Sequence, residues 1–230
     1  MSCPAGYFAV SAGASRAGEG ISELQARPLS PRKFQFRLAN SGDQAQSVKV
    51  AAACRRARGG GRNAPYLKLA ARRHVTLRVA SAGQGQTRFA CPSGTVPAAA
   101  GFDLGHGSLT VRRATQDLHT LTFGVSNSSS AAKKASFYAS CLTVVRRAGT
   151  RATQLQVSLA TDTVPVPDGS QVVTRVCPQG WLSFAAGYSV PAGVEVNGAA
   201  AVGRTARWSL TNPAQKPVLA QLQLACARLT

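Results

Sequence analysis

Acid–base and metal chemistry have little to work with in this chain. Its carboxylates are Glu19, Glu23, Asp43, Asp103, Asp117, Asp162, Asp168 and Glu195, and its histidines His74, His106 and His119. A general acid–base site needs a titratable group in hydrogen-bond reach of its partner, and a metal needs several ligands converging. Asp117 and His119 stand two apart beside a predicted strand, the spacing of a base and its orienter, but no serine can be singled out as their nucleophile, and a surface pair next to a turn is the simpler reading. His106, between Gly105 and Gly107, reads as a turn residue, and His74 as part of a basic strand beside Arg73. No two cysteines lie two to four residues apart, so a zinc pattern is missing. The stretches Gly59-Gly60-Gly61 and Gly83-Gln84-Gly85 lack the lysine and hydroxyl residue of a phosphate-binding loop. No catalytic residue, metal or cofactor is expected, and the chain is read as a non-enzyme.

The chemistry that does stand out is cationic. Arg55, Arg56, Arg58 and Arg62 are packed into a glycine-rich stretch that begins at Cys54, and Arg72 and Arg73 follow soon after. Guanidinium forks bind phosphates, sulfates and carboxylates through paired hydrogen bonds. The net charge is +19, and residues 55–90 carry no acid at all. Such a field favours nucleic acid, acidic glycan, an anionic membrane or an acidic protein lattice, although a basic face that merely aids solubility is equally consistent. Aromatics make up only 6% of the chain, too few for the base-stacking platforms of nucleic-acid modules. Sequence-specific nucleic-acid binding is therefore not expected. Docking onto an acidic protein or a polyanionic glycan is, with Arg55, Arg56, Arg58, Arg62, Arg72 and Arg73 as the contact residues.

The elements that carry these residues come from an internal repeat. Cys3-Pro4-Ala5-Gly6, Cys91-Pro92-Ser93-Gly94 and Cys177-Pro178-Gln179-Gly180 each open a unit that Cys54, Cys141 and Cys226 close. A glycine lies ten residues after each first cysteine (Gly13, Gly101, Gly187) and an asparagine fourteen before each second one (Asn40, Asn127, Asn212). Four residues ahead of each asparagine is an aromatic (Phe36, Phe123, Trp208), and two ahead an aliphatic (Leu38, Val125, Leu210). Side chains two apart share one face of a strand, so both point into one core. The spacing is too long for a solenoid and fits three small tandem domains, at 1–66, 67–154 and 155–230.

Six cysteines allow about fifteen pairings. The repeat selects Cys3 with Cys54, Cys91 with Cys141, and Cys177 with Cys226. Closing a loop of this length stabilises a unit by roughly 3–5 kcal/mol in the chain-entropy account, and domains this small need such a staple. Disulfides imply an oxidising setting, either extracellular or on a virus particle after release. Met1-Ser2 runs straight into the first motif with no leader pattern, which fits a leader already removed or release by lysis. No apolar run approaches the ~18 residues that span a bilayer as a helix.

Alternating segments such as Phe34–Leu38, Val75–Val79, Leu121–Val125, Leu155–Leu159 and Leu219–Leu224 predict strands, and no helical periodicity is sustained. The fold class expected is all-β: three small β-sandwiches, broadly immunoglobulin-like in architecture, with one disulfide each. The aromatic strand and the strand bearing the second cysteine are expected to form a hairpin, its turn held by the asparagine. Segments Leu67–Ala90 and Leu155–Val176 each contain two further strands, and no such segment stands ahead of Cys3. One end unit should therefore expose a sheet edge, and open edges invite strand pairing with a copy of the chain or a lattice partner.

The pattern Cys-Pro-x-Gly, Ala-Gly-aromatic (Ala100-Gly101-Phe102, Ala186-Gly187-Tyr188), aromatic-x-aliphatic-x-Asn and a closing cysteine resembles a poorly characterised repeat of extracellular proteins from high-GC bacteria. The first unit departs from it at Ala12-Gly13-Ala14. The resemblance implies a disulfide-stapled surface β module and brings no catalytic residues. The expected function is a structural or decorating component of an extracellular or viral assembly, such as a capsid or filament surface. A secreted adhesin for polyanions or glycans is the alternative.

Overall fold

The computed structural model describes residues 1–16, 21–56, 66–105, 107–145 and 155–229. Strands dominate and no helix occurs among these residues. The first unit contributes β1 (Tyr7–Arg16), β2 (Ile21–Ser30), β3 (Lys33–Asn40) and β4 (Val48–Arg56). The second is preceded by β5 (Tyr66–Leu69), β6 (Arg73–Val79) and β7 (Gln84–Ala90) and contributes β8 (Val96–Asp103), β9 (Leu109–Gln116), β10 (Thr120–Asn127) and β11 (Lys133–Val145). The third is preceded by β12 (Leu155–Val166) and β13 (Gly169–Val176) and contributes β14 (Leu182–Ser189), β15 (Glu195–Val202), β16 (Thr205–Asn212) and β17 (Val218–Leu229).

The all-β class and the three cysteine pairs are as the repeat predicts: Cys3–Cys54, Cys91–Cys141 and Cys177–Cys226 are all bonded. Three disulfides belong with an oxidising setting. No helix among the described residues is long and apolar enough to cross a membrane.

In each unit the opening strand pairs with the closing one (β1–β4, β8–β11, β14–β17), and the two middle strands pair with each other (β2–β3, β9–β10, β15–β16). The expected hairpin between the aromatic strand and the closing strand does not form. β3 and β4, β10 and β11, and β16 and β17 lie in different sheets. The reason is packing. Phe123 of β10 stacks on Phe137 of β11 with ring centroids 4.9 Å apart, and the Trp208 ring of β16 donates its Nε1–H to Gly187 O of β14 (2.9 Å). These inward side chains can only meet if their strands lie in opposing layers, so the asparagine turn carries the chain from one layer to the other.

The segments ahead of the second and third units complete those layers. β5 and β6 extend the sheet of β11 while β7 pairs with β10, and β12 extends the sheet of β17 while β13 pairs with β16. Each segment is thus a ribbon that straddles one corner of a sandwich, adding a strand to both layers. Val79 and Phe89 of the first ribbon, and Val164, Val166 and Val173 of the second, are buried in the core that the second and third units share.

Each sheet also crosses a repeat boundary. The opening strand of every unit pairs, over one or two residues, with a middle strand of another: β8 with β2, β14 with β9, and β1 with β15. Every unit therefore touches both of the others, and the pairing closes on itself. Register shifts occur at matching places in the opening-strand pairings, between Ala9 and Ser11, opposite Tyr138–Ser140, and between Ser183 and Ala185. A bulge bends and twists a strand, which lets its first half stay with its own closing strand while its second half reaches a neighbouring unit. Phe8, Val10, Val96, Ala98 and Phe184, from the three opening strands, gather in one buried cluster.

The glycine ten residues after each first cysteine gains its explanation at these junctions. A Cβ at Gly13, Gly101 or Gly187 would lie 2.0, 2.2 or 2.7 Å from the carbonyl oxygen of Ala199, Ala26 or Ala114, each on the middle strand of another unit. Gly101→Ala is expected to lower stability by roughly 2 kcal/mol, the range for forcing atoms into a packed site, as measured by thermal unfolding. Gly107→Ala, where an added Cβ meets open space, is the control and should unfold like the unsubstituted chain.

Candidate functional site: the uncovered corner of the first unit

The three corners are equivalent in sequence and unequal in cover. At the second and third, the aromatic-x-aliphatic-x-Asn strand is sealed by its ribbon. Phe123 and Val125 are each 2% exposed, Trp208 and Leu210 0%, and Asn127 and Asn212 are buried with them. At the first, Phe36 and Leu38 are only half-buried and Asn40 is exposed. The closing strand shows the same contrast. Phe137 and Leu222 are buried, whereas Val50, at the same distance from its cysteine, is half-buried, as is Val48.

Strand pairing gives the cause. β3 is the last strand of one sheet and β4 the last strand of another. Met1 and Ser2 run beside the start of β3, with Ser2 opposite Lys33 and Phe34 N–H donating to Met1 O at 3.0 Å. From Gln35 to Asn40, no strand among the described residues pairs with the side of β3 that faces away from β2. The equivalent tracks on β10 and β16 are filled by β7 and β13.

The asparagines measure the difference. Asn212 Nδ2 donates to Lys216 O within its own turn (2.9 Å) and to Val166 O on the ribbon (3.0 Å). Asn127 Nδ2 donates likewise to Ala131 O (2.8 Å) and to Ala80 O just beyond β6 (2.9 Å). Asn40 Nδ2 donates to Gln44 O (2.8 Å) and its Oδ1 accepts from Gly42 N–H (3.0 Å), so the turn is intact. The bond to a ribbon carbonyl has no counterpart among the described residues. The expected turn role of the asparagine is therefore half of its job, and pinning the ribbon is the other half.

β3 and β4 carry five cations, Lys33, Arg37, Lys49, Arg55 and Arg56, and no carboxylate. Of the arginines singled out by sequence, Arg56 is exposed at the end of β4. Arg55 is half-buried, and its guanidinium donates to Ser183 O (2.5 Å) and Gly203 O (3.4 Å) of the third unit. Burial pushes its pKa below the usual arginine value. Arg72 donates to Pro28 O and lies over the Tyr138 ring, and Arg73 donates to Ala90 O (2.7 Å). Arg58 and Arg62 lie outside the described residues. Three of the four described arginines thus donate to backbone carbonyls, Arg72 and Arg73 while remaining exposed.

Arg55 belongs to a set of polar clasps between units that sequence reasoning missed. Asp103 of β8 accepts from Gln25 Nε2 (2.6 Å) and Arg37 (3.0 Å), tying the second unit to the first. Gln223 and Gln116 exchange side-chain-to-backbone bonds of 2.7 and 2.8 Å, tying the third to the second. Each junction uses different chemistry, so no repeated residue signals it.

The remaining candidates for catalysis are occupied in other ways. Asp117 Oδ1 accepts the backbone N–H groups of His119 (2.8 Å) and Thr120 (2.6 Å), holding the β9–β10 turn, while His119 Nδ1 lies 3.0 Å from Thr95 O. His74 stacks on Tyr138, and His106 lies outside the described residues. A cavity of about 400 Å³ lies among the three opening strands, lined by Gly13, Gly101, Ala186, Tyr188 and Glu195. Its described lining includes no histidine. Among the described residues, no group of three His, Cys, Asp or Glu side chains is placed to hold a metal. Compared with protein-family models and with curated proteins, the chain matches none of them.

Proposed function

We propose that the chain is a non-enzymatic structural or decorating component of an extracellular assembly, a virus particle or filament surface included, and that it docks through the uncovered corner of its first unit. The observation that carries this reading is the pair of open edges on β3 and β4, set beside two equivalent corners that are sealed. An open edge presents unpaired N–H and C=O groups to any extended chain, and the half-buried Phe36, Leu38, Val48 and Val50 add apolar surface that a docked chain would bury. Three interlocked units also suit a site of threefold symmetry in a lattice, and the basic charge suits an acidic partner there. The disulfides fit an oxidising exterior, in keeping with a surface repeat of the kind found in extracellular proteins of high-GC bacteria.

The test is electron cryo-microscopy of the protein in its native source. Ordered copies on a capsid, filament or cell-surface lattice, with neighbouring density against residues 35–56, are the expected result. A chain found only free, with that corner bare, would overturn the proposal.

A further inference from the structure

The molecule itself shows what its third and second corners take up, and we infer that the first takes up the same thing from outside residues 1–230: a two-stranded β-ribbon, neutral or acidic, inserted across the edges of β3 and β4. This rests on the docking reading above and names the partner's chemistry.

Both resident ribbons follow one scheme. The first arm lies along the closing strand and buries a small or branched aliphatic beside the asparagine, Val79 in one and Val166 in the other. The backbone there, at Val166 itself and at Ala80 just after Val79, offers a carbonyl to that asparagine. The chain then reverses, at Ala80–Gly83 in one ribbon and at Pro167–Asp168 in the other. The second arm lies along the aromatic strand and buries one larger or branched residue, Phe89 or Val173. In the third unit the two arms are also linked by an ion pair, Arg175 Nε to Asp162 Oδ2 at 2.6 Å.

Every receptor feature of this scheme is present at the first corner. Asn40 is fixed by its own turn, with its amide beside the open track. Phe36 and Leu38 present the aromatic and the aliphatic, and Val50 replaces the bulky Phe137, leaving room for the incoming arm. A free sheet edge takes an added strand through main-chain hydrogen bonds, while alternate side chains set specificity. Charge narrows the choice of ribbon. Arg37 is paired with Asp103 of β8 and Arg55 is bound to the third unit, but Lys33, Lys49 and Arg56 are exposed on β3 and β4, so a neutral or acidic ribbon is favoured over a basic one.

The chain's own ribbons provide the probes. A synthetic peptide of residues 155–176 carries Asp162, Asp168 and Arg175, whereas one of residues 67–90 carries Lys68, Arg72, Arg73, Arg78 and Arg88 with no acid. Each is added to the 230-residue protein, and hydrogen exchange is followed at residues 35–40 and 48–53, with peptide affinity read by fluorescence anisotropy. The 155–176 peptide is expected to slow exchange at least tenfold in both segments and to bind at least tenfold more tightly than the 67–90 peptide at low salt. Asn40→Ala, at an exposed position, should weaken binding about tenfold, the equivalent of ~1.4 kcal/mol. No protection by either peptide at millimolar concentration would overturn the ribbon. So would protection that appears without peptide and rises with protein concentration, because a second copy would then be the occupant. If the ribbon fails while native assemblies still show density on this corner, docking stands and only the partner's form is wrong. A bare corner in the assembly removes both.

Discussion

Asn212→Ala is expected to destabilise the protein by about 3 kcal/mol, and Asn40→Ala, the same substitution at the equivalent position, by about 1 kcal/mol or less. Asn212 is 1% exposed and makes three bonds, to Lys216 O, Val166 O and Ala214 N–H. Each intramolecular hydrogen bond contributes roughly 1 kcal/mol, and a buried group left without its partner costs more. Asn40 is exposed, so water replaces what alanine removes. Denaturant unfolding of the two variants measures the difference. Equal losses would mean that the first corner is as closed as the third.

Trp208→Ala should cost about 4 kcal/mol, in the range for emptying a buried aromatic site. Trp208 is fully enclosed, and its truncation both leaves a cavity and strips Gly187 O of its 2.9 Å donor. Phe36→Ala, at the matching position of the first unit, should cost about 1–2 kcal/mol, because a half-exposed ring has less surface to lose. The contrast is again between a covered corner and an open one. Addition of a ribbon that fills the first corner should raise the cost of Phe36→Ala towards that of Trp208→Ala. Thermal unfolding with and without the 155–176 peptide reads this directly.

These contrasts were partly legible in the sequence. Cysteine spacing alone, read through the repeat, selects the three disulfides, because start-to-end pairs recur at one separation. The period-two pattern of Phe36 and Leu38, and of its two equivalents, marks the inward face, and only two connecting segments for three units lead to the expectation of an open edge. What stayed hidden depends on contacts far apart in the chain. Gly13, Gly101 and Gly187 stand out as invariant offsets, but the carbonyls that exclude a side chain there belong to other units. The aromatic strand and the closing strand look like a hairpin because a short turn joins them, whereas Phe123 on Phe137 shows them facing each other across a core. Arg55 looks like part of an anion grip because its neighbours are arginines, yet it reaches Ser183 O on a strand of the third unit. Asp103, Gln116 and Gln223 give no signal, since each clasp is made once.

Native-state hydrogen exchange of the free, dilute protein tests the central claim most directly, by comparing the three aromatic strands within one molecule. Amides on the outer side of β3 from Gln35 to Asn40 are expected to exchange orders of magnitude faster than the equivalent amides of β10 and β16, which are held in ladders with β7 and β13. Comparable protection on all three strands in the dilute chain would contradict an uncovered first corner, and with it the docking function built on that corner.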